Sequence, residues 1–210
     1  MGKILREGFR SVALVVLMVG GVWQAQGAPQ TLMLYGDSLM AGLGLSAQDG
    51  FAAQLEAGLE ANGYEVTIVN ASVSGDTSAA ALARLDWSLA EPPDAIVLAL
   101  GGNDMLRGLS PTAMAENLRS ILTRLTSQKI PVLLLGMRAS QGLGPYYVSA
   151  FDSTFPALAT EFGVPLFPFF LEGVALDPAF NQPDGIHPNA EGVKIMVEGV
   201  LPMVEQLLDT

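Results

Sequence analysis

Residues 31–44 read TLMLYGDSLMAGLG and join an apolar run to a short polar turn. The run at residues 31–35 is almost continuously apolar, which is typical of a strand buried on both faces of a parallel sheet. Ser38 follows between Asp37 and Leu39. Two interpretations are open at this point: Ser38 caps a helix, or Ser38 is a nucleophile.

The alternation of apolar runs and helical patterns continues along the chain. Further strands are predicted at residues 64–70, 94–100, 131–136 and 164–167. Amphipathic helices are predicted at residues 51–61, 78–89, 111–126, 148–161 and 190–208, with Ser110 as the N-cap of the third. Strand–helix repeats of this kind in one domain predict a doubly wound α/β fold with right-handed crossovers.

Composition and charge narrow the classes of function. The chain has 210 residues, of which 50% are hydrophobic and 15% charged, and this predicts one folded domain with a sizeable core. A formal net charge of -11 argues against a nucleic-acid partner and against docking on an anionic membrane. The chain contains no cysteine, which excludes thiolate catalysis, and its one histidine is His187.

Motifs of several other enzyme classes are absent from the sequence. It contains no P-loop, no complete G-x-G-x-x-G after the first strand and no G-x-S-x-G elbow. One histidine without a cluster of carboxylates gives no recognisable metal site. We therefore expect no cofactor and no metal, and we expect the protein to be a monomer.

The N-terminal residues have the pattern of a secretory signal. Lys3, Arg6 and Arg10 precede an apolar run at residues 12–23, and the segment 25–28 that follows contains the small residues Ala25, Gly27 and Ala28. This order predicts a signal peptide at residues 1–27, a single mature domain at residues 28–210 and a periplasmic or secreted location, without stable membrane insertion after cleavage. The alternative is an anchor that stays uncleaved, although the run is short for a bilayer span of about 20 residues.

Polar residues cluster where the predicted strands end. In a parallel sheet of this kind the carboxyl ends of the strands meet at one edge, where ligands bind. We therefore expect these segments to form one active site. They are residues 36–38, 70–76, 101–104 and 184–188.

These segments supply each group that serine acyl transfer needs. The hydroxyl of Ser38 needs a base, and the imidazole of His187 suits neutral pH. Asp184 lies three residues before His187 and is placed to orient it. The side-chain NH2 of Asn103 and the backbone N–H groups of Gly75 and Ser38 are candidate donors to an oxyanion.

Each candidate also has a purely structural interpretation. Ser38 would cap a helix, Gly75 would form a tight turn, Asn103 with Asp104 would cap the next helix, and His187 would be an ordinary loop residue. Taken one at a time, these interpretations are favoured. Their coincidence at the ends of the right strands, with the one histidine included, favours the nucleophile.

The same segments resemble the four sequence blocks of the GDSL or SGNH hydrolases, in order and spacing. The blocks are residues 36–39, Gly75, residues 101–104 and residues 184–187. The resemblance implies a flavodoxin-like, three-layer α/β/α sandwich with a five-stranded parallel sheet. It also implies a Ser38–His187–Asp184 triad and an oxyanion hole made by the Ser38 and Gly75 amides and the Asn103 side chain.

Residues 37–42 and 136–139 are most similar to a bacterial branch of arylesterases and multifunctional thioesterase–lysophospholipases. Met40 departs from the small polar residue expected there, which bears on substrate preference. The resemblance implies hydrolysis of acyl or aryl esters or thioesters of small or lipid-like alcohols. A carbohydrate O-acetyl esterase and a non-catalytic periplasmic binding module are the alternatives.

Apolar residues in the predicted loops favour a lipid-like substrate. For four of these residues, 167 and 169–171, packing in the core around the fifth strand is an equally favoured alternative. The residues are Leu143, Tyr146, Tyr147, Phe167, Phe169, Phe170 and Leu171.

Overall fold

Five parallel strands form a single sheet in this protein. The computed structural model describes Gly2 and residues 29–210. The strands are β1 (Gln30–Gly36), β2 (Val66–Asn70), β3 (Ala95–Ala99), β4 (Val132–Leu135) and β5 (Leu166–Phe167), in the order β2-β1-β3-β4-β5. The predicted α/β fold with a five-stranded parallel sheet is confirmed. Apart from Gly2, the predicted signal peptide at residues 1–27 lies outside the described residues.

Helices cover the sheet in two layers. They are α1 (Ser38–Ala41), α2 (Phe51–Ala61), α3 (Ser78–Ser88), α4 (Gly102–Leu106), α5 (Pro111–Ser127), α6 (Pro145–Phe162) and α7 (Ala190–Leu208). Helix α2 packs against α7, whereas α5 packs against both α3 and α6. The bounds predicted for α2 and α7 are confirmed. Helix α6 begins earlier than predicted, because Pro145 occupies its first turn, where a missing N–H costs nothing.

Burial differs between the central and the edge strands. Every residue of β3 and β4 is buried, and so are the last five residues of β1. In β2 and β5 no residue is fully buried, and Val69 of β2 is 40% exposed. The expectation that all five runs are buried on both faces was therefore wrong for the two strands at the sheet edges, which have a neighbour on one side only.

The helix caps correct two of the structural interpretations. Asp37 is the N-cap of α1 and accepts a hydrogen bond from the Leu39 N–H at 3.1 Å, so Ser38 is the first helical residue and not the cap. Gly101, with φ of 111°, is the N-cap of α4, so Asn103 lies inside that helix. Ser110 caps α5 as predicted. Capping therefore explains neither Ser38 nor Asn103.

Among residues 29–210, no helix has both the length and the apolar content needed to cross a membrane.

Candidate active site

The carboxyl edge of the sheet brings the predicted site segments together. Ser38 begins α1 directly after β1, and Asn103 lies in the short helix α4 after β3. The loop before α7 carries His187, and an antiparallel bridge between Asn181 and Pro188 closes that loop. The Asn181 side chain is buried and donates to the Val174 and Asp177 carbonyls at 2.7 and 2.8 Å. The loop before α7 is therefore tied to the preceding turn rather than free in solvent.

Ser38, His187 and Asp184 form a continuous hydrogen-bonded chain. The Ser38 Oγ lies 2.8 Å from His187 Nε2, and His187 Nδ1 lies 2.7 Å from Asp184 Oδ2. The Ser38 residue is 8% exposed and the His187 side chain 16% exposed, so the reacting groups are sheltered without being sealed. This order, hydroxyl to imidazole to carboxylate, is the arrangement that lets an imidazole remove a hydroxyl proton.

Asp184 is held as a carboxylate. Its Oδ1 accepts the backbone N–H groups of His187 at 3.0 Å and of Ile186 at 2.9 Å. The backbone hydrogen bond from His187, followed by the hydrogen bond from its imidazole and the one from Ile186, lowers the pKa of Asp184 to about 2. Asp184 is thus ionised across the neutral range and can stabilise an imidazolium beside it.

Close packing beneath Ser38 explains the glycine two residues before it. A Cβ on Gly36 would lie 2.8 Å from the Ala99 carbonyl oxygen and 2.8 Å from Met40 Sδ. Met40, the residue that departs from the family pattern, is fully buried against this glycine. Its side chain therefore contributes to the core beneath α1.

Hydrogen bonds hold two of the residues that carry candidate oxyanion donors, Gly75 and Asn103. Gly75 has a φ of +87°, a left-handed conformation that favours glycine. Its carbonyl oxygen accepts a hydrogen bond from Arg107 Nη2 at 2.7 Å, which fixes the peptide after it. Asn103 Nδ2 donates to Asp37 Oδ2 at 3.2 Å. An amide NH2 carries two hydrogens, so this bond leaves one donor of Asn103 available.

Asp37 is a functional candidate that the sequence reasoning missed. It is 3% exposed, and its two oxygens accept from Leu39 N and from Asn103 Nδ2. Burial raises the pKa of Asp37 to about 6, although both hydrogen bonds and the nearby His187 act in the opposite direction. A charged residue directly after an apolar strand was visible in the sequence, but its partner lies 66 residues away.

Buried polar contacts fix the loop that carries Gly75 and the short helix α4 that carries Asn103. Asp104, next to Asn103, is 2% exposed and accepts from the Ser78 N–H at 2.7 Å and the Ser78 hydroxyl at 2.6 Å. Arg84 forms an ion pair with Asp76 at 2.6 Å and donates to the Ala71 carbonyl at 2.7 Å. Both contacts hold α3 and the loop after β2 against the site.

The apolar loop residues divide into two groups. Leu143 is 39% exposed and Tyr146 is 93% exposed. Phe170 is 1% exposed and packs edge-on against Phe51 at 5.1 Å between ring centroids. Core packing was therefore the right alternative for Phe170. Half-buried Phe167 and Leu171 also pack against the core, and Tyr147 donates its hydroxyl to the Leu109 carbonyl at 2.9 Å.

Phe169 is the remaining member of this set, and its ring lies under the Arg138 guanidinium at 4.9 Å. Within the described part of the chain, no group of three or more His, Asp or Glu side chains could hold a metal ion.

Known proteins are similar to this chain over most of its length. The GDSL-like Lipase/Acylhydrolase family matches residues 34–195. Esterase TesA of Pseudomonas aeruginosa is 44% identical over 184 residues, which span 87% of this chain and 92% of that protein. Thioesterase 1/protease 1/lysophospholipase L1 of Escherichia coli K12 is 39% identical over 183 residues, spanning 87% and 86% of the two chains. The arylesterase of Vibrio mimicus is 34% identical over 177 residues, spanning 84% and 88%.

Solved structures agree with the sequence relatives. AlinE4, an SGNH-hydrolase family esterase, matches with a TM-score of 0.74 at 43% sequence identity, covering 88% of this chain and 99% of that one. The predicted resemblance and fold are thereby confirmed, as is the predicted class of enzyme. The chain belongs to the GDSL-like lipase/acylhydrolase family and is a carboxylic ester hydrolase with the SGNH-hydrolase fold.

Proposed function

We propose that Ser38 is the nucleophile of this esterase, that His187 is its general base and that Asp184 orients the imidazole. The observation that supports these roles is the chain of two short hydrogen bonds, 2.8 Å from Ser38 Oγ to His187 Nε2 and 2.7 Å from His187 Nδ1 to Asp184. The bond to the Asp184 carboxylate favours the tautomer with hydrogen on Nδ1. The Nε2 lone pair then faces the Ser38 hydroxyl.

The reaction follows from these positions. Ser38 Oγ attacks the ester carbonyl carbon as His187 Nε2 takes the hydroxyl proton, and the carbonyl π electrons move onto oxygen. Collapse of this tetrahedral intermediate breaks the bond to the leaving group, which receives the proton from His187. Water then attacks the acyl–Ser38 ester with the same proton transfers in the same order, releasing the acid and restoring the hydroxyl.

The oxyanion would be stabilised by three donors. These are the backbone N–H groups of Ser38 and Gly75 and the Asn103 side chain, each placed by a separate element of the fold. Asp37 holds Asn103 at 3.2 Å and is therefore a positioning residue in this proposal. Donors fixed before the reaction cost no reorganisation when the charge develops.

The substrate class we propose is an acyl or aryl ester, or a thioester, of a small or lipid-like alcohol. Several large apolar side chains are exposed in the segments that follow the strands: Leu106 at the end of α4 is 56% exposed, Leu143 39%, Tyr146 in the first turn of α6 93% and Ile186 44%. Apolar surface of this kind suits an acyl chain. The related proteins are named esterase, thioesterase, lysophospholipase and arylesterase, which supports the same class. The triad and the oxyanion donors all come from one chain, so the proposal requires no second subunit.

Replacing either member of the Ser38–His187 pair tests the mechanism. Both Ser38→Ala and His187→Ala should lower kcat for a p-nitrophenyl ester by roughly 10³–10⁶, and the double variant should lose little more, because triad members act as a unit. Trp87→Ala, at a position 80% exposed on α3, is the control and should keep wild-type turnover. A single variant that retained a tenth of the wild-type kcat would remove that residue from the mechanism.

The same mechanism sets the pH dependence of turnover. A protonated imidazole cannot accept the Ser38 proton, so kcat/KM should show an acid limb, falling as His187 becomes protonated. Asp184 stays ionised down to about pH 2 and should add nothing to this limb. A rate that stayed flat down to pH 4 would contradict the role of His187.

Asn103→Ala tests the oxyanion donor. Since Asn103 lies inside α4 and not at its cap, the variant should fold, while kcat should fall by about 10²–10³ with little change in KM. Asn62→Ala is the matched control, because it removes an amide hydrogen bond, 2.6 Å to the Glu205 carboxylate on α7, that involves none of the residues around the site. Equal turnover of the two variants would assign Asn103 a structural role only.

Asp37→Asn tests the buried carboxylate. The folded-state pKa of about 6 lies above the ordinary value of 3.8, so neutral Asp37 stabilises the fold at low pH, and this stabilisation is lost as pH rises through about 6. Relative to the variant, the wild-type free energy of unfolding should therefore fall by about 3 kcal/mol between about pH 3 and pH 7. Parallel curves from denaturant titrations at each pH would contradict the raised pKa.

We also propose that residues 1–27 are a signal peptide and that the mature enzyme, residues 28–210, works in the periplasm or outside the cell. The basic, apolar and small-residue segments in that order support the proposal. N-terminal sequencing of protein recovered from the periplasm or the medium should begin at or near Ala28. Protein from those fractions that still began at Met1 would contradict cleavage.

A further inference from the structure

The side chain of Gln182 spans the gap between the two loops that carry Ser38 and His187. Its Nε2 donates to the Leu43 carbonyl at 2.8 Å and to the Pro188 carbonyl at 2.9 Å. Leu43 follows the nucleophile helix, and Pro188 follows His187 directly. One amide group therefore binds segments that are more than 100 residues apart in the chain, since Gln182 and Leu43 are separated by 139 residues.

Backbone hydrogen bonds connect this bridge to the catalytic pair on both sides. The Leu43 N–H donates to the Ser38 carbonyl at 3.3 Å, and the Gln182 N–H donates to the His187 carbonyl at 2.7 Å. A path of three hydrogen bonds thus runs from the Ser38 peptide through Leu43 and Gln182 to the His187 peptide. The reacting side chains themselves are joined by one hydrogen bond only, the 2.8 Å contact of Oγ with Nε2.

Gly44 leaves the space that this bridge occupies. A Cβ at position 44 would overlap Gln182 Oε1, and the φ of +79° at Gly44 is one that favours glycine. The backbone carbonyl oxygen of Gln182 accepts a hydrogen bond from the Gly185 N–H at 2.9 Å, which ties this residue to the turn between Asp184 and His187. Gly44 therefore leaves room for the Gln182 side chain, and the Gln182 backbone is bound to the turn that carries Asp184 and His187.

We propose that Gln182 is a positioning residue that sets the distance between Ser38 Oγ and His187 Nε2. The inference rests on the catalytic roles proposed for these two residues. Without the two donated bonds, the loop before α7 and the loop after α1 are no longer joined by the Gln182 side chain. The imidazole can then shift relative to the hydroxyl. A displacement of about 1 Å at reacting atoms can cost on the order of 10²-fold in rate.

Gln182→Met tests the proposal, because methionine keeps the length of the side chain and removes both donated bonds. Gln54→Met is a matched control, since Gln54 Nε2 also bridges two carbonyls, those of Asp49 at 2.9 Å and Ala190 at 3.0 Å. Each protein is titrated with a fluorophosphonate that labels the reactive serine. The kcat per titrated site, KM and Tm are then compared with those of the wild type.

The expected result is a loss of about 10- to 100-fold in kcat per titrated site for Gln182→Met, with KM within about twofold. Gln54→Met should lose comparable thermal stability and keep its kcat per site. Equal kcat losses in both variants would overturn the proposal, and so would a Gln182→Met defect confined to Tm or to the number of titratable sites.

Two further arms separate the possible failures. Gln182→Glu places a carboxylate against the same two carbonyl oxygens, so it should show the same kcat loss. If Gln182→Met does not fold, the kcat of Gln182→Glu tests the proposal in its place. A wild-type protein that is not labelled at Ser38 would overturn the catalytic roles and this inference with them. Labelled wild type with unchanged kcat in the Gln182 variants would overturn this inference alone.

Discussion

The site depends on holding one imidazole within hydrogen-bond distance of one hydroxyl that lies 149 residues away in the chain. The parallel sheet positions Ser38, which follows the carboxyl end of the inner strand β1. His187 instead lies in an irregular loop, which Asn181 and Gln182 hold in place by hydrogen bonds to backbone carbonyls. A loop held in this way lets rigid elements position a group that no helix or strand carries.

Burial of polar groups around Ser38 is costly unless each one is paired. Among the described residues, no buried side-chain nitrogen or oxygen lacks a partner. Asp37 holds Asn103, Asp104 holds Ser78, and Arg84 holds the loop after β2. These contacts link the elements that carry the proposed oxyanion donors, so the donors are fixed before substrate arrives. The raised pKa of Asp37 shows that this arrangement costs stability at neutral pH.

Local pattern was enough to predict the five strands, the five longer helices and the polar segments at the strand ends, because strand and helix periodicities are properties of short windows. It did not predict the short helices α1 and α4, which carry Ser38 and Asn103. Helices α2 and α7 and all five strands followed from it. Exposure of β2 and β5 could not be predicted, since it depends on strand order in the finished sheet. The partners of Asp37 and Gln182 lie 66 and 139 residues away, and no local pattern contains such contacts. Hydrogen bonds between residues far apart in the chain therefore could not be predicted from the sequence.

The most direct test of the account is to locate the acyl group during turnover. The enzyme is mixed with excess p-nitrophenyl ester, quenched in acid within the pre-steady state and mapped by peptide mass spectrometry. The account predicts an acyl group on the Ser38 hydroxyl in the wild type and almost none in His187→Ala. An acyl group on another residue, or steady turnover in which none can be trapped on Ser38, would contradict it.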